Sequence, residues 1–305
     1  MLNNNFNKGD KMVEINAKLV GELREKTGVG MMECKKALTA CEGDLEKAID
    51  FLRKKGVAMA EKKAGRVANQ GLVAVAVEGN TGAVVELNSE TDFVAKNAEF
   101  QAFLSKVVAL ALAQKINDVE VLKKADLEGK SVQDTLVALI AKIGENMSLR
   151  RVAIVTGDTV VPYVHSAIAP GLGKIGVLVA LSGDNAAEIG KKVAMHVAAS
   201  KPQFLSIADV DTATAEHERG IYAEQARASG KPEAIIEKMV EGRMRKFYEE
   251  AVLLEQAFVM DPEKKVKDVL SESNATVSTF VRFNLGEGIE KKEEDFAAEV
   301  AKQIG

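Results

Sequence analysis

Tryptophan is absent from this 305-residue chain, and aromatic residues make up only 5% of it. Any core must therefore be aliphatic. There are only two cysteines, Cys34 and Cys41. Seven positions apart on a helix, they would sit roughly 10 Å apart at ~1.5 Å rise per residue, beyond the about 7 Å that a disulfide tolerates between Cα atoms. Free thiols acting as small hydrophobes are expected, which suits a reducing, cytoplasmic compartment. Neither charge dominates: 41 Lys and Arg oppose 45 Asp and Glu, for a net −4. A phosphate-binding protein needs a concentrated basic surface, so no direct nucleic-acid partner is expected, a local patch aside. Apolar runs such as VVALALA and GVLVAL fall far short of the ~20 residues of a membrane helix, and no membrane association is expected. The opening MLNNNFNKGDK is polar, lacks the apolar core of a secretory signal and reads as a disordered extension, with Met12 an alternative start.

Signatures of covalent or nucleotide chemistry are missing too. GLGKIG, Gly171 to Gly176, fits G-x-G-x-x-G, but that motif works only when a helix N-terminus follows to receive a pyrophosphate. Here an apolar strand pattern follows, so a turn is expected. No P-loop or nucleophile elbow occurs. His165, His196 and His217 lie on different elements without ligand spacing. His196 is expected to be a satisfied core or boundary residue, His217 a solvated one, and His165, at a strand end beside Tyr163, a contact candidate. No cofactor, no metal site and no enzymatic activity are expected.

What is present is a composite α+β pattern. Residues 13–56 read as three short helices, with Leu19, Val20 and Leu23 on one face of the first and Leu45, Ile49 and Leu52 on the third, which ends before Gly56. A basic helical linker spans 57–67. A core subdomain over 68–149 opens with a hairpin around Gly79-Asn80-Thr81-Gly82 and continues with two helices. A second, over 150–290, includes the arm at 209–248, an antiparallel helical hairpin turning at Ser229-Gly-Lys-Pro232. In that arm Ile221 and Ala226 are expected to face Ile235, Met239 and Met244. A helix over 291–305 closes the chain.

The two subdomains look duplicated. TGAVVELNSE and a helix parallel IGVLVALSGD and a helix, aligning Gly82 with Gly176 and Leu87 with Leu181. The first copy is longer by residues at ETDFVAKN, where Asp92-Phe93 puts a large aromatic into a polar turn. Two readings stay open. In one, Ser89-x-x-Asp92 is a capping box and Phe93 pins the turn to the core. In the other, Phe93 is an exposed wedge that gains ~2–3 kcal/mol when a partner buries it. A passive scaffold using the arm, or a hydrolase using Glu90 or Asp92 as base, are the alternatives in other functional classes.

Three groups of motifs sharpen the choice: LREKTGVGMMECKKAL; TDFVAKNAEFQAF with AKIGENMSLRRV; and AMHVAASKPQF through EGRMRKF to GEGIEKKEEDFAAEV. In these the chain resembles translation elongation factor Ts, the guanine-nucleotide exchange factor of elongation factor Tu, from about Val13 to the end. The resemblance implies a ubiquitin-associated-like three-helix domain, a core of two related subdomains and a helical hairpin. It implies that Thr91, Asp92, Phe93 and Val94 insert against the GTPase domain of Tu, displace helices beside the nucleotide and unseat Mg²⁺. It further implies Tu contacts by Arg24, Met31, Met32 and Lys35, by Ile143 and Gly144 beside the wedge, and by His165. For the two methionines a helix-bundle core role is an equal expectation. Val29 stands where the family commonly has Ala. Tu, GDP-bound or nucleotide-free, is the implied partner, and the order of the assembly with it stays open.

Overall fold

The computed structural model describes residues 15–228 and 230–289. The expected extension over 1–12, the closing helix over 291–305 and Ser229 of the arm's turn lie outside the described residues. Three helices come first: α1 (Ala17–Thr27), α2 (Met31–Ala40) and α3 (Leu45–Lys63). Asn16 caps α1 by accepting from the Leu19 N–H at 2.9 Å, and Asp44 caps α3 by accepting from Lys47 at 3.0 Å. Gly28 ends α1 at φ 68°. Val20, Leu23, Cys34, Ala37, Leu38, Ala48 and Leu52 form the core of this unit. Both cysteines are free.

The expected stop at Gly56 does not occur. α3 runs through it to Lys63 and absorbs most of the segment read as a linker. A glycine inside a helix costs about 1 kcal/mol, and here the packing of α3 against a helix of the core offsets it. A Cβ at Gly56 would sit 3.6 Å from the Ala141 Cβ and 3.8 Å from Val137. Tertiary contact outweighs the local breaker signal.

The core follows as β1 (Gln70–Glu78), β2 (Thr81–Ser89), α4 (Asp92–Ala95), α5 (Ala98–Gln114), α6 (Val119–Lys124), β3 (Asp126–Leu127), β4 (Lys130–Ser131), α7 (Val132–Ile143) and β5 (Met147–Thr156). Next come β6 (Thr159–His165), β7 (Leu172–Gly173), β8 (Ile175–Gly183) and α8 (Ala186–Ser200). The arm, α9 (Thr212–Arg227) and α10 (Glu233–Ala251), precedes β9 (Ala257–Phe258), β10 (Asp261–Lys265), α11 (Val266–Glu272) and β11 (Ala275–Asn284). One sheet has the order β5-β2-β1-β7 and the other β11-β8-β6, all antiparallel. The paths β1–β2–helix–β5 and β6–β8–helix–β11 are the same, which is the duplication seen as topology. β5 pairs with β2 along its whole length, so the chain changes sheet between Thr156 and Thr159.

The two sheets stack face to face. Val73, Val75 and Val84 meet Val160, Leu178, Ala180 and Phe283 between them. The opposite faces carry helices: Leu72, Ala74, Val85 and Leu87 pack with residues of α5 and α7, while Val177, Val179 and Leu181 pack with α8. Central strands buried on both faces read as continuous apolar runs. The aligned glycines explain the close stacking. A Cβ on Gly82 would meet Leu178 at 2.7 Å, and one on Gly176 would meet Val73 at 2.6 Å. GLGKIG leads by a turn into β8, as expected, and also holds the short β7, an unexpected strand that pairs with β1.

In the arm, Ile236, Val240 and Met244 face Ala226, Tyr222 and Ala223. The expected contact Ile235 is instead exposed, because the i, i+4, i+8 stripe begins one residue later. Ile221 is not part of that cluster.

His196 is fully buried on α8. Its Nδ1 accepts from the Val259 N–H at 3.2 Å, so its Nε2 carries the proton and donates to the Gln256 Oε1 at 2.8 Å. Burial pushes its pKa down, and the Gln256 bond only partly opposes this. The folded state thus resists a proton that the unfolded chain accepts below about 6.5. Stability contributed by neutral His196 is complete above that value and lost as pH falls below it. Between pH 7.5 and 5.5 the native chain should lose up to about 1.4 kcal/mol more than His196→Gln. Thermal melts of both proteins across that range measure the difference.

Candidate partner-binding site

β2 delivers the chain to the end of the first sheet, where six more residues separate strand from helix than in the second copy: eight between Ser89 and Ala98, against two between Gly183 and Ala186. The surplus forms α4, a single turn. So short a helix does not hold itself together in water, so its surroundings must hold it. Val94 and Ala95 are buried in the first subdomain's core. The Gln101 side chain donates to the Ala95 carbonyl at 2.9 Å. Asn97 caps the following α5, accepting from Glu99 and Phe100, and Phe100 is itself fully buried.

Phe93 points the other way and is 76% exposed. The reading that buried it in the core is therefore overturned. With about 100° between successive helical residues, burying Val94 and Ala95 turns position 93 outward. The capping box is absent as well. Thr91 occupies the N-cap without a side-chain cap bond. Ser89 is the last residue of β2, and its hydroxyl donates to the Thr91 carbonyl at 2.9 Å.

Ile143 ends α7, and Gly144 caps it at φ 86°. The next residue, Glu145, grips Thr91 with both carboxylate oxygens: one accepts from the Thr91 N–H at 2.9 Å, the other from its hydroxyl at 2.6 Å. Ile143–Gly144 and Thr91–Val94 thus lie together. Asp92 is exposed and shares its field with Lys174 and Lys96. Burial pushes the Lys174 ammonium down, the Asp92 carboxylate pulls it back up, and Lys96 pushes it further down. The Lys96 ammonium also lies 5.9 Å from the Phe93 ring centroid.

His165 ends β6, exposed, with its Nδ1 3.2 Å from the Tyr163 hydroxyl. Its carbonyl accepts from the Lys174 N–H at 3.1 Å, so Lys174 connects His165 with the neighbourhood of Asp92. Arg24, Met31, Met32 and Lys35 are all exposed. The methionines, at 59% and 67%, are excluded from the core of the three-helix unit. Lys35 follows Met31 by one helical turn and shares its face. Sequence reasoning missed Glu145, whose role depends on a contact 54 positions away.

Phe93, Met31 and Met32 are large apolar side chains exposed beside charged residues, a surface that gains free energy when another molecule buries it. A family model described as Elongation factor TS matches residues 90–287. Elongation factor Ts of Paracoccus denitrificans is 58% identical over 290 residues, covering 94% of this chain and 98% of that protein. The Rhodospirillum rubrum protein of the same name is 56% identical over 308 residues (96% and 99%), and that of Ruegeria pomeroyi 57% over 288 (94% and 98%). The chain belongs to the elongation factor Ts family and is a translation elongation factor. No helix among the described residues is long and apolar enough to cross a membrane.

Proposed function

We propose that this chain acts in the cytoplasm as the nucleotide exchange factor of elongation factor Tu, binding Tu·GDP and promoting GDP release so that GTP can rebind. In this reading α4 enters beside the nucleotide site of Tu, Phe93 displaces supporting helices, and the partner's Mg²⁺ loses its coordination. Mg²⁺ demands near-ideal octahedral geometry, so a small displacement is enough to remove it, and the GDP phosphates then lose their main counter-charge. The observation that carries the reading is the 76% exposure of Phe93 on a turn that Val94 and Ala95 anchor in the core.

Exchange is reciprocal coupling: a factor that weakens GDP is weakened by GDP to the same extent. A several-thousandfold effect needs roughly 5 kcal/mol, more than one phenylalanine supplies. The contacts proposed for Arg24, Met31, Met32 and Lys35, for Ile143 and Gly144, and for His165 supply the remainder. The test is release of fluorescent GDP from purified Tu with and without this chain, repeated at high Mg²⁺. Release should accelerate with added factor, and excess Mg²⁺ should blunt the effect. An off-rate unaffected by the factor sinks the proposal and favours a passive scaffold.

A further inference from the structure

The two segments that meet at α4 exchange carboxylates. Glu145 accepts from the Thr91 N–H, and Glu90 accepts from the Asn146 N–H. Each acid thus satisfies the backbone amide that follows the other acid in the opposite segment. Thr91 has all three polar groups engaged: its N–H and hydroxyl by Glu145, its carbonyl by Ser89. The clasp extends to the end of the first helical unit. The Asn146 side chain donates to the Arg66 carbonyl at 2.7 Å, Arg66 reaches Glu90 at 3.4 Å, and Lys63 on α3 donates to the Gly144 carbonyl.

None of these bonds involves Phe93, and none is needed to build either sheet. Their effect is to join the Phe93 turn to Ile143–Gly144 as one body. We propose that Glu145, working with Glu90, is the positioning residue of the exchange surface: it holds α4 in its binding orientation before any partner arrives. This rests on the reading of α4 as the element that enters Tu. A turn already ordered loses little conformational freedom on docking, and this appears as affinity. Removing the clasp transfers that ordering cost to the binding step.

The test uses the full chain. Glu145→Ala should raise the factor concentration giving half-maximal GDP release roughly tenfold and leave the maximal rate within about twofold. Hydrogen exchange at the Thr91 amide in the free protein should quicken roughly tenfold. Glu145→Gln keeps an acceptor for the Thr91 N–H and a donor for its hydroxyl oxygen, and should stay within about threefold of the native chain. Thr91→Val, which loses only the hydroxyl bond, should shift half-saturation in the same direction by less. It carries the test should Glu145→Ala fail to fold.

Adding Glu145→Ala to Phe93→Ala should cost only about a further two- to threefold, well short of its tenfold effect alone, since the largest contact that the clasp orients is already gone. A full additional loss in that double variant overturns the proposal, because Glu145 would then touch the partner itself. A fall in maximal rate with half-saturation unchanged overturns it as well. Normal exchange by Glu145→Ala and Thr91→Val, with Phe93→Ala impaired, rejects the clasp and leaves the exchange function standing. Normal exchange by Phe93→Ala removes the wedge reading on which the clasp rests.

Discussion

Phe93→Ala should slow factor-stimulated GDP release roughly thirty- to a hundredfold and leave the melting temperature unchanged. The first figure is the ~2–3 kcal/mol gained by burying a phenylalanine in a partner, at about 1.4 kcal/mol per decade. The second follows from 76% exposure: the free protein gains almost nothing from this ring. Surface substitutions of this kind stay within about 0.5 kcal/mol of native stability. The separation of the two effects is the diagnostic. A core phenylalanine would lose both, typically by 3–5 kcal/mol. A melting temperature lowered by many degrees contradicts the exposed placement, and unchanged release contradicts the wedge.

Glu86→Ala should have the opposite profile, a large loss of stability with the partner surface untouched. Glu86 is fully buried on β2. It pairs with Arg150 at 3.1 Å and with Arg151, and it accepts from the Gly286 N–H at 2.9 Å and the Asn88 side chain at 3.1 Å. A β-bulge makes this convergence geometric. The register shifts between Glu86 and Leu87, leaving Arg150 as the extra residue on β5, so two consecutive arginines reach one carboxylate. Arg151 also lies 4.2 Å from the Phe283 ring centroid and donates to the Asn284 carbonyl at 2.9 Å, tying the first sheet to the last strand of the second. Removing one partner of a buried ion pair costs about 3–5 kcal/mol, because the remaining charges and donors stay poorly solvated. At roughly 2–4 °C per kcal/mol, the melting temperature should drop by about 6–20 °C. Glu86→Gln, which keeps an acceptor and loses the charge, should fall between. A drop under about 2 °C for Glu86→Ala would show that the network contributes little.

These two residues also mark how far sequence reasoning reaches. The hydrophobic period placed the longer helices and strands, and the α+β class followed. The duplication was legible because Gly82 and Gly176 serve the same close approach between sheets, and Leu87 and Leu181 the same helix-facing side. The family motifs singled out residues at α4 and at the first helical unit, of which Phe93, Met31 and Met32 are exposed in the structure. Glu86 escaped notice because one acid in an apolar strand looks like a strand end. Only the bulge opposite brings the arginines that make its burial tolerable. The extent of α3 was misread for a related reason: a glycine signals a helix end locally, while packing against the neighbouring α7 carries the helix through it. The short α6 and α11 and the β3–β4 and β9–β10 pairs were missed because elements this brief show no full period.

From its residues alone, the chain determined an aliphatic core, free thiols and a doubled strand-and-helix plan, since apolar spacing and cysteine separation are properties of the local chain. The outward turn of Phe93, the exposure of Met31 and Met32, the meeting of Glu90 with Asn146 and of Glu145 with Thr91, and the charge cluster at Glu86 were decided by tertiary structure. A four-residue turn has no periodicity from which to read its faces. A carboxylate's partner 54 or 64 positions away is set by which strands and helices lie side by side.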